Sequence, residues 1–323
     1  MNPNVSIIIV NYNSRDELVG CLEQLRTTRA ACNRQDHTRR FRFETIVVDN
    51  DSRDDSVHAV RTKFPEVHLI AHDRNVGFAA GNNIGIRRAR GEYILLLNPD
   101  ARLSFVALRN LLQVMRANDR CQVAGASLID AAGLPQPSAR TFPHPGRKLL
   151  LKTGIGRWFG YKDPESSTTP DRAHVVDWVV GACFLMRRSA LEQVGMLDER
   201  YFLYFEEIDF CLQVKRGGGE VWFVPDALVR HAGGASSEGS DEHRSRAGRQ
   251  IERFRIESEM RYYRKNHGPF TAAFAGLSEC VIGIVTLLRS VLKRSGDHGH
   301  WRTHLDLLTL TARIYRPGWA RIS

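Results

Sequence analysis

Apolar and polar positions follow two alternating periods along the first half of the chain. Mainly apolar runs occupy residues 5–10, 43–48, 67–71 and 93–97, and they predict strands. The run at 5–10 is nearly continuous in β-branched residues, which is typical of a strand buried on both faces, and 43–48 is predicted to be a second buried strand. Between these runs, apolar residues recur three or four positions apart, which predicts amphipathic helices. Such an alternation of strands and helices predicts an α/β fold with a mostly parallel sheet flanked by helices.

Polar residues cluster where three of these predicted strands end. The carboxyl ends of parallel strands meet at one edge of a sheet, where open α/β sheets bind ligands. Asn and Asp also suit turns, so any single strand end is ambiguous, but three together favour a binding site. The residues concerned are Asn11, Tyr12 and Asn13, then Asp49 and Asp51, then Asn98 and Asp100.

The second half of the chain has a more varied pattern. Residues 133–167 are rich in Pro, Gly and basic residues, and this composition predicts a long loop or flap. Apolar segments at 178–186, 221–224 and 227–231 predict further strands. Residues 198–211 interleave aromatic residues with carboxylates, so this segment is a second candidate for site chemistry.

The C-terminal region differs from the rest in periodicity and charge. From Phe270 onward apolar residues alternate by four and three positions, which predicts an amphipathic helix, and a second helix is predicted at 305–315. We expect a catalytic domain over residues 1–240, with halves of about 1–130 and 131–240, and a basic helical region over 241–323. Ser278 and Glu279 disfavour a membrane span, whereas a surface-lying helix and a dimer helix both fit.

Charge and cysteine content limit the binding partners and the cellular location that we expect for this protein. The 323 residues include 46 Lys and Arg against 36 Asp and Glu, a net charge of +10 that suits phosphorylated ligands or an anionic membrane. The acidic strand ends set this chain apart from a uniformly basic nucleic-acid binder, so we expect no nucleic-acid partner. The six cysteines form no CxxC pair, and the first six residues lack a signal-peptide pattern. We therefore expect a cytoplasmic protein that associates peripherally with the cytoplasmic face of the membrane.

Five sequence blocks, in order, resemble one known family. VSIIIVNYN, VVDNDS, NVGFAAGNN, LLLNPDA and LDERYFLYFEEIDFC, followed by His231, are similar to the inverting family 2 glycosyltransferases of GT-A fold, and most similar to their rhamnosyltransferase-like branch. The resemblance covers residues 5–234. It implies transfer of a sugar from a nucleotide-diphosphate donor to a hydroxyl group.

The donor site follows from this resemblance and from side-chain chemistry. Carboxylates accept hydrogen bonds from a base or ribose, which suits Asp49 and Asp51, and the resemblance supports Asp49 more firmly. Glycines let the backbone approach a ligand closely. The resemblance adds Asn75, Gly77, Phe78, Gly81, Asn82, Gly181 and Ala182 to the donor-binding residues.

A divalent metal is implied because the diphosphate leaving group needs its charge balanced. Asp100 stands where the family's DxD motif ends, and Asn98 replaces the first Asp of that motif. The resemblance places His231 in the metal shell. Oxygen and imidazole ligands suit Mn²⁺ or Mg²⁺, with Mn²⁺ slightly favoured.

The resemblance places the catalytic base at the second member of an acidic pair. That residue is Glu207, where most relatives carry Asp, with Asp209 in reserve and Glu206 in the same cluster. A plain acidic helix start is the structural alternative. Trp178, Tyr204 and Phe205 are either an aromatic wall for the acceptor or part of the core.

The expected activity is rhamnosyl transfer from dTDP-rhamnose to a glycan or lipid-linked glycan acceptor in cell-envelope synthesis. A UDP-sugar donor is the first alternative. A sugar nucleotidylyltransferase would need a Gly-rich basic loop after the first strand, which residues 11–15 lack. A non-enzymatic nucleic-acid or membrane binder would leave the acidic strand ends and His231 unexplained.

Overall fold

The computed structural model describes residues 4–35, 42–158, 172–232, 241–292 and 309. The chain divides into two compact units. The first, here called the sheet unit, comprises residues 1–142, 168–202 and 206–238. The second, the helical unit, comprises 143–167, 203–205 and 239–323, so it includes two segments besides the C-terminal region.

A mixed, mostly parallel sheet forms the centre of the sheet unit, which confirms the predicted fold class. In the described residues its main path runs β3-β2-β1-β4-β11-β6-β12-β5, with β7 beside β6 and β9 beside β12. β11 pairs antiparallel with both β4 and β6, while β1, β2, β3 and β4 pair in parallel. The strands are β1 (Val5–Asn11), β2 (Phe43–Asn50), β3 (His68–His72), β4 (Tyr93–Leu97), β5 (Ala101–Arg102), β6 (Cys121–Ile129), β7 (Pro135–Gln136), β9 (His174–Val176), β11 (Cys183–Arg187) and β12 (Glu220–His231). A separate two-stranded sheet pairs β8 (Ala139–Arg140) with β10 (Trp178–Val179).

Helices cover this sheet and explain its apolar runs. Every residue of β1 and of β4 is buried, as expected for strands with cores on both faces. Ile7 and Ile9 lie in one core cluster and Ile8 in the other, which follows the alternation of side chains along a strand. The helices are α1 (Arg15–Gln35), α2 (Ser56–Lys63), α3 (Phe78–Arg88), α4 (Phe105–Ala117), α7 (Arg188–Val194) and α8 (Glu206–Arg216).

Two sequence-based expectations differ from the structure. The segments at 221–224 and 227–231 form one strand, β12, whose register against β6 shifts between Val224 and Leu228. The expected loop at 133–167 contains β7, β8 and two helices, α5 (Pro145–Thr153) and α6 (Ile155–Trp158). α5 begins at Pro145, because proline is well suited to the first helical turn. Proline content in this segment therefore does not indicate an unstructured loop.

The helical unit is built around α9 (Asp241–Leu292), which packs on α5. Gly268 adopts a φ of 85° just before Pro269 and divides α9 into two helices. Among the described residues, one helical stretch, Gln250–Arg289, is long and apolar enough to cross a membrane by length and composition. The helix predicted at 305–315 lies, apart from residue 309, outside the described residues.

Candidate functional site

The ends of β1 and β2 form a buried hydrogen-bond network around Asp49. The Asn11 side-chain amide donates to Asp49 Oδ2 at 2.9 Å and to Ser52 Oγ at 3.1 Å. The backbone N–H of Ser52 donates to Asp49 Oδ1 at 2.9 Å. Asn11 Oδ1 is buried and accepts no hydrogen bond within the described part of the chain. An oriented carboxylate beside an unused acceptor is a suitable arrangement for binding N–H and O–H donors of a ligand.

Hydrogen bonds join the loops that follow β1 and β2, next to this network. Asn13 N–H donates to Ser52 Oγ at 2.9 Å, and Arg53 N–H donates to Asn13 Oδ1 at 2.7 Å. Asn13 and Asp51 adopt positive φ angles of 51° and 67°, a conformation that Asn and Asp tolerate better than most residues. Tyr12 is 43% exposed beside them, so its ring is accessible to a ligand.

Asn50 organises the start of α3, although the sequence analysis did not single it out. Its amide donates to Asn75 Oδ1 at 2.9 Å and to the Gly77 carbonyl at 3.2 Å, and its Oδ1 accepts from Val76 N–H at 3.0 Å. Gly77 adopts a φ of 87°, and an added Cβ there would lie 2.5 Å from the Phe202 carbonyl oxygen. That same oxygen accepts from Phe78 N–H at 2.7 Å, so the turn before α3 requires glycine at position 77.

Other residues of the NVGFAAGNN block lie in the packing of α3. A Cβ at Gly81 would lie 2.9 Å from a methyl carbon of Val10, so this glycine brings α3 close to β1. The buried Asn82 amide donates to the Phe78 carbonyl within the helix at 2.9 Å. The structure therefore gives Gly81 and Asn82 contacts inside the fold.

Asp100 and His231 lie together, although 131 positions separate them in the sequence. His231 Nε2 lies 3.4 Å from Asp100 Oδ1 and 3.3 Å from the Asn98 side-chain amide nitrogen. Strand pairing brings them together, because His231 on β12 is the register partner of Ala101 on β5. Both side chains are largely buried, so their electrostatic interactions are only weakly screened.

Gln136 holds His231 in place, and sequence reasoning missed it. Gln136 Oε1 lies 3.0 Å from His231 Nδ1, and the Gln136 amide donates to the His231 carbonyl at 3.1 Å. An amide oxygen can only accept a hydrogen bond, so Nδ1 carries a proton, and in the neutral ring Nε2, which faces Asp100 and Asn98, is the nitrogen with the lone pair. The Pro-rich pattern of 133–167 contained no signal for this contact.

The Asp100–His231 pair fits a divalent cation as part of a shell. Two cis ligands of one such ion, each about 2.1 Å away, lie about 3 Å apart, close to the observed separation. Among the described residues no group of three or more His, Cys, Asp or Glu side chains could hold a metal ion. Water and ligand oxygens would have to complete the shell, as is usual for Mg²⁺ bound with phosphates.

A short chain of contacts runs from this pair to the acidic cluster. Asn98 N–H donates to the Ala182 carbonyl at 3.0 Å. Gly181, which precedes Ala182, faces Glu207. A Cβ atom added to Gly181 would lie 3.8–3.9 Å from the Cβ, Cγ and Cδ atoms of Glu207. The structure thus places Gly181 and Ala182 between the Asp100–His231 pair and Glu207.

The three acidic residues at the start of α8 differ in environment. Glu206 and Asp209 are buried, whereas Glu207 is half-buried. Burial, followed by the nearby charge of Glu207, raises the pKa of Glu206 well above its usual range. Oε2 of Glu206 and Oε2 of Glu207 are both buried without a hydrogen-bond partner within the described residues, so the difference between them lies in the burial of the whole side chain. Glu207 is therefore the better placed of this pair to act as a carboxylate.

The three aromatic candidates for acceptor binding lie in different surroundings. Trp178, in the sheet unit, donates from its indole N–H to the Thr141 carbonyl at 2.9 Å and has Arg140 over its ring. Tyr204 and Phe205 belong to the helical unit and adopt positive φ angles of 69° and 72°. Phe205 is buried against Tyr262, so it is part of that unit's core, whereas Tyr204 is 39% exposed.

The mixed sheet, with acidic and amide side chains at the ends of its parallel strands, defines a GT-A type glycosyltransferase domain. The Pyrobaculum calidifontis mannosyltransferase PcManGT, solved in complex with GDP-Man and Mn²⁺, shares this fold with a TM-score of 0.52 and 14% sequence identity over 97% of this chain and 86% of that chain. The family model for Glycosyl transferase family 2 matches residues 6–195. The chain belongs to this family, as its sequence blocks predicted.

Curated relatives support the same assignment. The low-salt glycan biosynthesis hexosyltransferase Agl10 of Haloferax volcanii is 27% identical over 67% of this chain and 63% of its own length. The N-acetylglucosaminyl-diphospho-decaprenol L-rhamnosyltransferase of Mycobacterium tuberculosis is 30% identical over 58% of this chain and 65% of its own length. This chain therefore matches less than two thirds of the length of each of these relatives.

Proposed function

We propose that this protein is a metal-dependent, inverting glycosyltransferase that moves rhamnose from dTDP-rhamnose to a hydroxyl of a lipid-linked or polysaccharide acceptor in cell-envelope glycan synthesis. The observation that carries the proposal is the contact path from the Asp100–His231 pair through Asn98 and Ala182 to Gly181 and Glu207. It provides positions for a leaving group and for a base within one site. The rhamnosyl donor is supported by the sequence blocks and by the rhamnosyltransferase relative.

Asp49 and Asn11 are the proposed nucleotide-binding residues. Asp49 is 2% exposed and held by Asn11 and Ser52, so its orientation is fixed before a ligand arrives. Its carboxylate and the unused Asn11 Oδ1 accept hydrogen bonds from a pyrimidine N–H and from ribose-type hydroxyls. Both thymine and uracil have this N–H group, so a UDP-sugar is the alternative donor.

Asp100 and His231 are the proposed ligands of Mn²⁺ or Mg²⁺, with Asn98 beside them. A bound divalent ion would offset the negative charge that develops on the departing diphosphate. The single carboxylate of the pair leaves coordination positions for diphosphate oxygens and water. His231 contributes Nε2 because Gln136 holds the proton on Nδ1.

Glu207 is the proposed base. It takes the proton of the acceptor hydroxyl while the hydroxyl oxygen attacks the anomeric carbon and the bond to the diphosphate breaks. Attack from the face opposite the leaving group inverts that carbon. Burial raises the pKa of Glu206 and so favours its protonated form, which leaves Glu207 as the candidate base, with Asp209 in reserve.

Replacement of Glu207 by Gln tests the base assignment. Transfer from dTDP-rhamnose should fall by about a hundredfold to ten-thousandfold, while the donor still raises the melting temperature. Glu192→Gln, at an exposed position on α7, is the matched control and should retain normal transfer. Normal transfer by Glu207→Gln would refute the assignment and direct attention to Asp209.

Replacement of Asp100 by Ala tests the metal assignment. The variant should lose the part of donor binding that depends on Mn²⁺, because one of two protein ligands is gone. Asp226→Ala, which removes an exposed carboxylate on β12, should bind donor and Mn²⁺ normally. The same melting-temperature assay with UDP-sugars identifies the nucleotide. Mn²⁺-dependent donor binding that persists in Asp100→Ala would contradict the proposal.

A lipid-linked acceptor would place the enzyme at the cytoplasmic face of a membrane. The sheet unit holds the proposed donor and metal residues, and the basic C-terminal region from residue 241 is the proposed membrane-associating or dimerising part. Trp178, in the sheet unit, is the proposed acceptor contact.

A further inference from the structure

The net charge of the chain lies entirely on the helical unit. The sheet unit has 26 basic and 26 acidic residues, whereas the helical unit has 20 basic and 10 acidic residues, which accounts for the full +10. A phosphorylated donor bound to the sheet unit therefore does not explain the excess. The helical unit has its own reason to be basic, such as an anionic partner.

The part of α9 after Gly268 has two contrasting faces. One face packs on α5, and Ala272 and Ala275 are buried there. The other face is apolar and open to solvent, with exposures that reach 90% at Phe270 and 62% at Leu277. Phe270, Phe274, Leu277, Ile284 and Leu288 lie three, four or seven positions apart, so they form one stripe along the helix.

Polar side chains in this stretch are satisfied within the helical unit. The hydroxyls of Thr271, Ser278 and Thr286 each donate to the backbone carbonyl four residues earlier. Glu279, the sole acidic residue between positions 260 and 292, points to α5, where its carboxylate lies 2.5 Å from Lys148 Nζ. The exposed stripe therefore presents no polar side chain that needs water, which is what a hydrocarbon environment requires.

Basic residues flank the apolar stripe at both ends, and the helical unit also exposes a tryptophan. Arg264 and Lys265 are exposed just before Gly268, and Arg289 is exposed at the far end, where its guanidinium donates to the carbonyls of Lys152 and Thr153. Trp158, at the end of α6, is 88% exposed. Cations at the ends of an apolar face are the pattern of a helix that lies in a lipid headgroup layer, and an exposed tryptophan on the same unit suits such a layer as well.

We infer that the exposed stripe of α9 inserts into the surface of an anionic lipid bilayer and that the helix lies along the membrane rather than across it. α5 covers the opposite face and holds the Glu279 carboxylate through Lys148, so only one side of α9 is available to lipid. The basic flanks complement anionic headgroups. The inference deepens the proposed function, on which it rests for the lipid-linked acceptor, by naming the surface that reaches the membrane.

Vesicle flotation of the full chain tests this inference. The probe is a vesicle of phosphatidylcholine and phosphatidylglycerol, with pure phosphatidylcholine for comparison. The unchanged protein should float with the anionic vesicles and lose binding as salt rises. The triple variant Phe270→Asp, Leu277→Asp, Ile284→Asp should bind more than about tenfold more weakly, because charges replace the inserting side chains.

The matched control places the same three charges on the sheet unit. Val106→Asp, Val175→Asp, Leu228→Asp changes three exposed apolar residues (45–55%) away from α9, so it should float like the unchanged protein. If the α9 triple variant fails to fold by circular dichroism, Leu277→Ala with Leu288→Ala replaces it and should still weaken vesicle binding. Equal flotation of the α9 variant and the control would overturn the inference.

Two further outcomes are decisive. A second copy of the chain on the stripe would show as a dimer in light scattering that the α9 variant converts to a monomer while vesicle binding stays unchanged, and this would overturn the inference. Donor binding is read separately, as the rise in melting temperature with dTDP-rhamnose. Loss of vesicle binding with donor binding intact supports the inference, whereas absence of donor binding in the unchanged protein counts against the proposed function alone.

Discussion

Gln136 forms two hydrogen bonds with His231, one to the ring and one to the backbone. Gln136 Oε1 lies 3.0 Å from Nδ1, and its amide donates to the carbonyl oxygen at 3.1 Å. The two contacts fix both the position of the residue and the tautomer of its ring. In the neutral ring, the nitrogen that faces Asp100 is consequently the one with a free lone pair.

Removal of the Gln136 side chain should weaken metal binding more than it lowers the stability of the fold. In Gln136→Ala, Nε2 of His231 is no longer preset as the unprotonated nitrogen, and loss of such an outer partner typically costs about 10–100-fold in metal affinity. Electron paramagnetic resonance of free Mn²⁺ measures that affinity directly. Gln193→Ala, at an exposed glutamine on α7, is the control and should bind Mn²⁺ normally. Unchanged Mn²⁺ affinity in Gln136→Ala would show that the Gln136–His231 hydrogen bonds stabilise only the fold.

Gly77 and Gly181 should respond differently to the same added methyl group. Gly77→Ala meets the Phe202 carbonyl oxygen at 2.5 Å with a φ of 87°, so we expect a loss of about 2 kcal/mol or more in unfolding free energy. Gly181→Ala meets Glu207 at ordinary contact distances of 3.8–3.9 Å, so stability should hold while transfer falls. Urea denaturation and the transfer assay measure the two effects.

Gly133→Ala is a reference for a positive φ without a collision. Its φ of 82° is close to that of Gly77, but nothing lies within 4 Å of the added Cβ. It should cost only the left-handed backbone penalty, about 1–2 kcal/mol. A Gly77→Ala variant no less stable than Gly133→Ala would mean that the turn before α3 shifts to accept a side chain.

The buried Glu206 carboxyl should make stability depend on pH. Its pKa is raised in the folded state, chiefly by burial, so the folded protein binds a proton that the unfolded chain releases above its usual pKa near 4.5. The Glu206 contribution to stability therefore falls as pH rises from that value toward the folded-state pKa. Glu206→Gln has no proton to lose at this position. The melting temperature of the variant minus that of the unchanged protein should therefore increase as pH rises. A difference between the two that is constant with pH would refute a raised pKa.

Cysteine reactivity should follow burial. Cys21, Cys32, Cys121, Cys183 and Cys211 are buried free thiols, and burial raises the pKa of Cys21, Cys121 and Cys183 to about 12. Because the thiolate is the reactive form, these thiols should resist labelling at neutral pH. Cys280, which is partly exposed, should react with a thiol-specific reagent first, and peptide mapping would locate the label. The other five should react only after denaturation, and rapid native labelling of Cys183 would contradict the burial of β11.

The sequence by itself determined the features that local pattern controls. Apolar runs located β1, β2 and β4, because a strand buried on both faces needs apolar residues at successive positions. The run at 67–71 located β3 as well, although the residues of β3 are exposed or only partly buried. Polar residues at the ends of parallel strands identified the edge where Asn11, Asp49 and Asp100 lie, since parallel strands bring their carboxyl ends to one edge. The ordered blocks were specific enough to indicate the family.

Tertiary structure alone decided the relationships that depend on distant partners. Gln136 and His231 are 95 positions apart, and only the pairing of β7 and β12 with β6 brings them together. Burial separated Glu206 from Glu207, which are adjacent and chemically identical in the sequence. Close packing of α3 on β1 gave Gly81 its contacts with Val10. Periodicity describes which face of an element is apolar, whereas the partner of each side chain depends on how separate elements pack, and a local pattern does not contain that information.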